Sequence, residues 1–450
     1  MEPVANDKVR RRIIDYRMIW RWHFYAGLFC IPFIIILTLT GTTYLFKPQI
    51  EAALEAKYNN LTFDGAPKPV SQQIYTAMHA MHGATLTQVD IRDNPHDALR
   101  VTLNDGGELY RLYVHPQSLD ILKAQPLDER FMAIIKNIHG ELTIGKPGEI
   151  IVELAASWAI VLIVTGLYLW WPRQVTGWAG ILWPRLNGGS RLFWRDIHAV
   201  TGIYISTFAL ILLLSGLPWT SVWGTGFKAV VAATKPASAK AEWSSNRAQD
   251  KQQAKADHTH HGQGAPAKGM GADMGTDLTG IDALLPIVRS LNVPAPVVIK
   301  PDGDRLWQAA STTQNLTARR TVTLSADTGE VVKQTGFAEK AFMDKVVLTA
   351  ISLHEGHLFG WFNQLLGLLT ALGLLTLSVS AVIMWWSKRP VDRLGAPATL
   401  DGKPGGRLLL IIVFMAAFLP VMAISLILIA VLERFVLRCI PPVRDWLGLT

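Results

Sequence analysis

The chain has 450 residues, half of them hydrophobic, and only 17 % of them are charged. Its mean hydropathy of +0.24 and its long apolar windows are typical of an integral membrane protein and exclude an ordinary water-soluble enzyme. The formal charge of +8 does not indicate nucleic-acid binding, because much of the lysine and arginine flanks the apolar windows. Two cysteines are too few for a thiolate cluster or a disulfide scaffold.

The alternation of apolar and polar segments predicts five membrane spans. The basic N-terminus is expected in the cytoplasm, and the first span is too long for the core of a signal peptide. The predicted segments are the cytoplasmic N-terminus 1–17, span one 18–46, an outside module 47–130, a histidine-bearing lead-in 131–148, span two 149–171, a cytoplasmic loop 172–191, span three 192–219, a flexible His-rich linker 220–277, a second outside module 278–341, a second histidine-bearing lead-in 342–360, span four 361–386, a cytoplasmic loop 387–407, span five 408–432 and an outside tail 433–450.

Both outside modules are predicted to consist of one helix followed by a small antiparallel sheet. Residues 69–82 and 278–291 have the apolar stripe of a helix, and short alternating runs follow each of them. Asn104 to Gly107 is a hairpin signal between two such runs. Each module is therefore expected to be a small α+β fold.

Spans one and three share a pattern of one histidine and two glycines. In each span a glycine follows the histidine after four residues and another after eighteen, which is five helical turns. The sets are His23, Gly27 and Gly41 in span one, and His198, Gly202 and Gly216 in span three. The spacings of four and eighteen residues place the three members of each set on one helix face. Corresponding members of the two sets are separated by one constant interval, so the two spans carry the same pattern.

A second pair of histidines precedes spans two and four. His139 and His354 each precede a glycine by six residues, and the interval between them equals the interval from Trp170 to Trp385. The chain therefore has the pattern of a tandem repeat. We expect a mainly α membrane protein, with a four-helix transmembrane core formed by the repeat and a fifth helix that has no counterpart.

The repeat predicts two facing histidine pairs, His23 with His198 and His139 with His354. Ionisable residues inside a membrane are costly and functional by default, although a buried histidine bonded to a carbonyl is the alternative. We predict that each pair ligates the iron of one haem b, two in all, and that the four glycines make room for the flat cofactors. His139 and His354 could instead face a substrate, and His357 could replace His354 as ligand or touch substrate.

Other features have a plainer interpretation. Arg21 and Arg195 are topology signals or partners for a haem propionate. The linker histidines 258, 260 and 261 either bind a soft metal loosely or belong to a plain flexible linker. The sequence contains no dinucleotide-binding glycine motif, P-loop or zincin motif.

In its motifs the chain resembles the PepSY-associated transmembrane family of iron-regulated bacterial inner-membrane proteins, which includes ferric-siderophore reductases. The segments that carry the resemblance are Trp20–Gly27, Tyr110–Ile121, Ile138–Gly140, Thr165–Arg173, Asp196–Gly202 and Val322–Val332. The resemblance implies that the two outside modules are PepSY-like and periplasmic. It also implies haem ligation by His23, His198, His139 and His354.

The function expected from this resemblance is a haem-dependent inner-membrane reductase in iron uptake. A quinol or a cytoplasmic reductant would donate electrons, and a periplasmic ferric-siderophore or similar acceptor would receive them. The alternative is a protein whose PepSY modules bind or restrain a periplasmic protease or other partner without redox chemistry. A third option is metal transport, which the scarcity of acidic residues in the spans disfavours.

Overall fold

The computed structural model describes residues 2–172, 177–234, 274–303, 305–397 and 404–449, with side chains masked at 2–12, 234, 274–277 and 279. Most of the predicted His-rich linker lies outside these residues. The chain divides into two compact units. We call Met1–Leu45, Asn137–Ala239 and Gln364–Thr450 the helical unit, and Phe46–Lys136 and Lys240–Asn363 the sheet unit.

Five helices of the described chain are long and apolar enough to cross a membrane. These candidate spans are Ile13–Leu45, Lys146–Trp170, Ser190–Trp219, Trp361–Trp386 and Pro420–Cys439. The helices of the helical unit are α1 (Glu2–Leu45), α5 (Lys146–Trp170), α6 (Ser190–Gly216), α7 (Val222–Thr234), α10 (Trp361–Trp386), α11 (Gly406–Phe418), α12 (Pro420–Phe435) and α13 (Pro441–Leu447). Helix α7 lies in the range predicted to be a flexible linker, and it is ordered by packing against α12. A membrane protein with five candidate spans agrees with the expected class.

Among the helices α1, α5, α6 and α10, each packs against the next one of the four along the chain. Helix α5 packs against both α1 and α6. Helix α10 meets α6 closely at Gly373, where an added Cβ would lie 2.6 Å from Ile205. The start of α10 meets α1, since Gln364 donates a hydrogen bond to the carbonyl of Leu45 at 3.1 Å. These four helices are the ones that carry the repeated motifs.

The C-terminal helices form a hairpin at Pro420. Leu419 has φ −119° and ψ 80°, which is not helical, and the proline that follows has no backbone N–H to continue the helix. Helix α11 starts beside Asp15, which accepts a 2.9 Å bond from the Gly405 N–H, and ends at Phe418, whose carbonyl accepts a 3.0 Å bond from the Trp223 indole. With 13 residues it is about 20 Å long, which is shorter than any of the five candidate spans.

From Pro420 the chain returns to the end of the helical unit at which Arg21 lies. The Arg21 guanidinium donates to the carbonyl of Gly448 at 2.7 Å, and the Tyr25 hydroxyl donates to that of Leu447 at 2.5 Å. The N–H of Leu394, in the loop after α10, donates to the carbonyl of Trp446 at 2.9 Å. This course differs from the predicted single span 408–432 and from the tail 433–450 on the opposite side. The physical reason is the break at Pro420.

The sheet unit contains α2 (Lys47–Glu55), α3 (Val70–Ala80), α8 (Met274–Ser290), α9 (Phe342–His354) and one antiparallel sheet; α4 (Phe131–Glu141) links it to the helical unit. The strands are β1 (Thr85–Ile91), β2 (Leu99–Asp105), β3 (Glu108–Val114), β4 (Ile121–Pro126), β5 (Val297–Pro301), β6 (Leu306–Ser311), β7 (Arg320–Ser325) and β8 (Val331–Gly336). Their order is β4-β3-β2-β1-β5-β6-β7-β8.

The two predicted modules therefore share one sheet. Strand β1 pairs with β5, with Val89 opposite Ile299 and Ile91 opposite Val297. Helices α3 and α8 pack together, and one apolar core joins residues from both halves. The hairpin between β2 and β3 turns at Gly106 and Gly107, both at positive φ as a two-residue turn requires.

A buried ion pair fixes α2 on this sheet. The Arg100 side chain is 1 % exposed and donates from Nε to Glu55 at 2.8 Å, while the Tyr113 hydroxyl donates to the same carboxylate at 2.9 Å. Desolvation raises the pKa of Glu55, but the bonds and charges of Arg100, Tyr113 and Arg130 outweigh it and hold that pKa below 4.5. The stabilisation is present above the unfolded-state pKa and is lost as the pH falls through the lower folded-state pKa.

We predict that Cys439, which is exposed, lies on the same side of the membrane as the loop after α10. A membrane-impermeant maleimide, applied to sealed vesicles of each orientation, should label Cys439 and a Ser387→Cys probe in the same preparation. Cys30 is buried and gives little background. Labelling of the two positions from opposite sides would contradict the hairpin.

Arg100→Ala should lower the thermal unfolding midpoint by several degrees, because it removes the buried arginine that binds the Glu55 carboxylate at 2.8 Å, at a cost of about 3–5 kcal/mol. The matched control is Arg92→Ala, whose partner Asp97 is 3.7 Å away and whose side chain is 30 % exposed. That change should cost at most about 1 kcal/mol. Circular dichroism of the full chain in detergent measures both, and equal midpoints would refute the assignment.

Candidate functional site

The histidines of α1 and α6 face each other inside the helical unit. The ring centroids of His23 and His198 are 6.5 Å apart, and the ring planes are at 90°. Two imidazoles bound to opposite sides of one metal ion, at about 2.0–2.1 Å per bond, place their ring centroids about 6 Å apart. The observed separation therefore fits a pair of axial ligands on one iron.

Hydrogen bonding determines which ring nitrogen of His23 is free. Its Nδ1 lies 2.9 Å from the hydroxyl of Thr165 on α5. That hydroxyl donates its single hydrogen to the carbonyl of Val161 at 2.7 Å, so it must accept from Nδ1–H. The network thus assigns the proton to Nδ1 and leaves the lone pair on Nε2.

His198 has the same arrangement against α10. Its Nδ1 lies 3.2 Å from the carbonyl of Leu377 and 3.1 Å from the hydroxyl of Ser380. A carbonyl only accepts, and the Ser380 hydroxyl donates to the carbonyl of Thr376 at 2.7 Å, so Nδ1 carries the proton. The two supporting hydroxyls, of Thr165 and Ser380, are separated by the same interval as the tryptophans of the repeat.

A family model of the PepSY-associated TM region matches residues 20–388. The chain belongs to this family. No curated protein matches the sequence. The match spans both histidines of the pair and both residues whose hydroxyls support them.

In this PepSY-associated protein, the predicted glycines have different neighbours. Added Cβ atoms at Gly27 and Gly202 would lie 3.9 Å from Leu162 and 3.8 Å from Leu377, which is ordinary contact. An added Cβ at Gly41 would lie 3.1 Å from His139, so this glycine leaves room for an imidazole. Gly216 is the last residue of α6. Their role in forming the walls of haem sites stays a prediction.

His139 is held in the same way as the inner pair. Its Nδ1 lies 3.0 Å from the hydroxyl of Thr40, which donates to the carbonyl of Ile36 at 2.8 Å. His354 ends α9 in the sheet unit, whereas His139 belongs to the helical unit. The second haem at His139 and His354 therefore stays a prediction.

The two arginines considered as propionate partners are engaged elsewhere. Arg21 donates to the carbonyls of Pro397 and Gly448, at 2.7 Å each. Arg195 binds the buried carboxylate of Asp196 at 2.7 Å. Both arginines thus have structural contacts within the helical unit.

His357 lies after α9 with its ring 3.8 Å from the Glu355 carboxylate. Burial lowers the pKa of His357; Glu355 raises it, and the charges of Arg319 and Lys47 lower it further. The net effect lowers the pKa of His357 and favours the neutral imidazole.

Sequence reasoning missed Thr165, Ser380 and Gly166 as parts of the site. An added Cβ at Gly166 would lie 3.2 Å from His23, so glycine is needed there to admit the ring. The repeat interval that relates Trp170 to Trp385 could have revealed the two hydroxyls. Among the described residues no group of three or more His, Cys, Asp or Glu could hold a metal ion, but axial ligation of haem needs only two.

Proposed function

We propose that this membrane protein is a haem-dependent reductase of the bacterial inner membrane that passes electrons to a periplasmic ferric-siderophore or a similar acceptor. The observation that carries the proposal is the facing pair His23 and His198, at a separation suited to axial ligation. Membership of the PepSY-associated family supports it, because the resemblance noted above includes ferric-siderophore reductases.

His23 and His198 would hold a haem b, which supplies reversible one-electron chemistry when bound. Thr165 and Ser380 fix each ring through Nδ1 and leave Nε2 available as the ligand atom. A hydrogen bond from the distal ring nitrogen also raises the basicity of the ligand. The apolar side chains of the surrounding helices would set the polarity of the site.

The remaining parts of the proposal follow from topology and charge. A quinol or a cytoplasmic reductant would supply electrons near the basic N-terminus, which we assign to the cytoplasm. His139 and His354 would hold the second proposed haem, which would supply the same one-electron chemistry on the periplasmic side. Reduction lowers the charge of the iron and weakens its attraction to the anionic oxygen ligands of a siderophore, so the iron is released.

His23→Ala and His198→Ala should each abolish the absorption bands of one haem b in the detergent-purified protein, because either change removes an axial ligand. Absorption spectra before and after dithionite, scaled to protein concentration, measure the loss. The matched control is His79→Ala, since His79 is an exposed residue of the sheet unit. It should leave the spectrum unchanged.

A fully loaded spectrum in both ligand variants would refute this ligand assignment. A colourless wild-type protein would refute the reductase and favour the alternative, in which the PepSY modules restrain a periplasmic partner without redox chemistry.

Thr165→Val should make the reduction potential of the same haem more positive, because it removes the acceptor of the His23 Nδ1–H and makes the ligand less basic. A spectroscopic redox titration measures the shift. Thr43→Val is the control, since that hydroxyl donates to the carbonyl of Leu39 at 2.9 Å and is exposed. Equal potentials in the Thr165 variant and the wild type would contradict this role of the hydroxyl.

A further inference from the structure

The segment after α9 contains buried polar atoms without a hydrogen-bond partner in the described part of the chain. They are the hydroxyl of Ser352, both ring nitrogens of His357 and the side-chain oxygen of Asn363. Ser352 is 3 % exposed and Asn363 is 1 % exposed. The His357 side chain is 11 % exposed. All three residues belong to the sheet unit, within twelve positions of one another.

Buried polar atoms without a hydrogen-bond partner lower the stability of the folded protein. Each buried polar atom left unpaired costs about 1–3 kcal/mol, and native proteins contain only a few per hundred residues. Four such atoms in one short segment indicate a place where a ligand completes the bonding.

The backbone holds this segment in a defined shape. The N–H groups of His357 and Leu358 both donate to the carbonyl of Ser352, at 2.7 and 3.1 Å. The Asn363 amide nitrogen donates to the carbonyl of Leu353 at 3.0 Å, so its oxygen is the atom left to bind. The backbone changes direction at Gly356 and Gly360, which have φ of 79° and 58°.

The donor types favour a cation. Glu355 lies 3.8 Å from Nδ1 of His357, too far for a hydrogen bond but on that side of the ring. Histidines that ligate metals almost always present the second nitrogen to a carboxylate, carbonyl or water. Nε2 is then the nitrogen available to a metal, and the oxygen of Asn363 is an acceptor. The negative charge of the Glu355 carboxylate would repel an anion bound beside His357.

We propose that Ser352, His357 and Asn363 form a binding site for one divalent transition-metal ion, with Nε2 of His357 and the amide oxygen of Asn363 as ligands and Glu355 orienting the ring. The Ser352 hydroxyl would bond to a water on the metal. Imidazole and oxygen donors together suit ferrous iron and its neighbours in the first transition row. Ferrous iron is the product of the proposed reductase. The identity of the bound ion therefore rests on the proposed function, whereas the existence of the metal site does not.

The probe is Co²⁺ added to the full-length protein in detergent, followed by its visible absorption. The parent carries His258→Ala, His260→Ala and His261→Ala, which removes the linker histidines as competing ligands. We expect this parent to bind one equivalent of Co²⁺. His357→Ala should weaken that binding by at least about 10-fold, and Glu355→Gln by about 10–100-fold, the usual effect of losing an orienting partner. His96→Ala, outside the segment, should bind as the parent does.

Unchanged Co²⁺ binding in His357→Ala, or in Glu355→Gln if the first variant does not fold, would overturn the site, and its polar atoms would then be paired with ordered water alone. Loss of haem absorption in His357→Ala with Co²⁺ binding retained would also overturn it. A colourless parent that still loses Co²⁺ binding in both variants would refute the reductase but support the metal site.

Discussion

The arrangement of the helical unit depends on two imidazoles in an apolar bundle. A polar ring in such surroundings is costly unless each nitrogen has a partner. The hydroxyls of Thr165 and Ser380, together with the carbonyl of Leu377, bind one nitrogen of each ring. The other nitrogen of each ring is the one left for a ligand, and the 6.5 Å between the ring centroids fits the proposed binding of one haem iron by both rings. Gly166 makes this arrangement possible, because a side chain there would meet the His23 ring.

In the sheet unit, the two halves cover an edge of each other's sheet. A four-stranded sheet has two edges that can pair with another chain. Pairing of β1 with β5 removes one edge from each half and leaves β4 and β8 outermost. Both of these strands carry an exposed lysine, Lys123 and Lys333, which discourages further pairing. The pairing of β1 with β5 also places α3 and α8 over one shared apolar core, so each half contributes to the stability of the other.

Regular spacing made part of this molecule predictable. The constant interval between two histidines and between their glycines predicted the pair that the structure brings together. Strands follow α3 and α8, as the short alternating runs after the two predicted helices indicated, because alternation reports which face of a strand is buried. The hydroxyl supports were missed, since threonine and serine inside an apolar helix usually bond to their own preceding turn, as Thr165 also does.

Other features depend on contacts that a local pattern does not contain. A strand's pattern does not reveal its neighbour, so the pairing of Val89 with Ile299 was not predicted. Pro420 was taken as a tolerated residue within one span, as membrane helices allow when neighbours bond the freed carbonyls. Here the carbonyl of Phe418 is bound by Trp223, and the chain reverses at that point. The contacts of Arg21 and Tyr25 with the tail are equally distant in sequence.

If His23 and His198 both bind one haem iron, electron paramagnetic resonance of the oxidised, detergent-purified full-length protein will show it. We expect a low-spin ferric signal with the strong anisotropy of two imidazole ligands whose planes are nearly perpendicular, in keeping with the 90° angle between the rings. A protein without haem iron, or one whose iron gives only a high-spin signal with a single histidine bound, would contradict it.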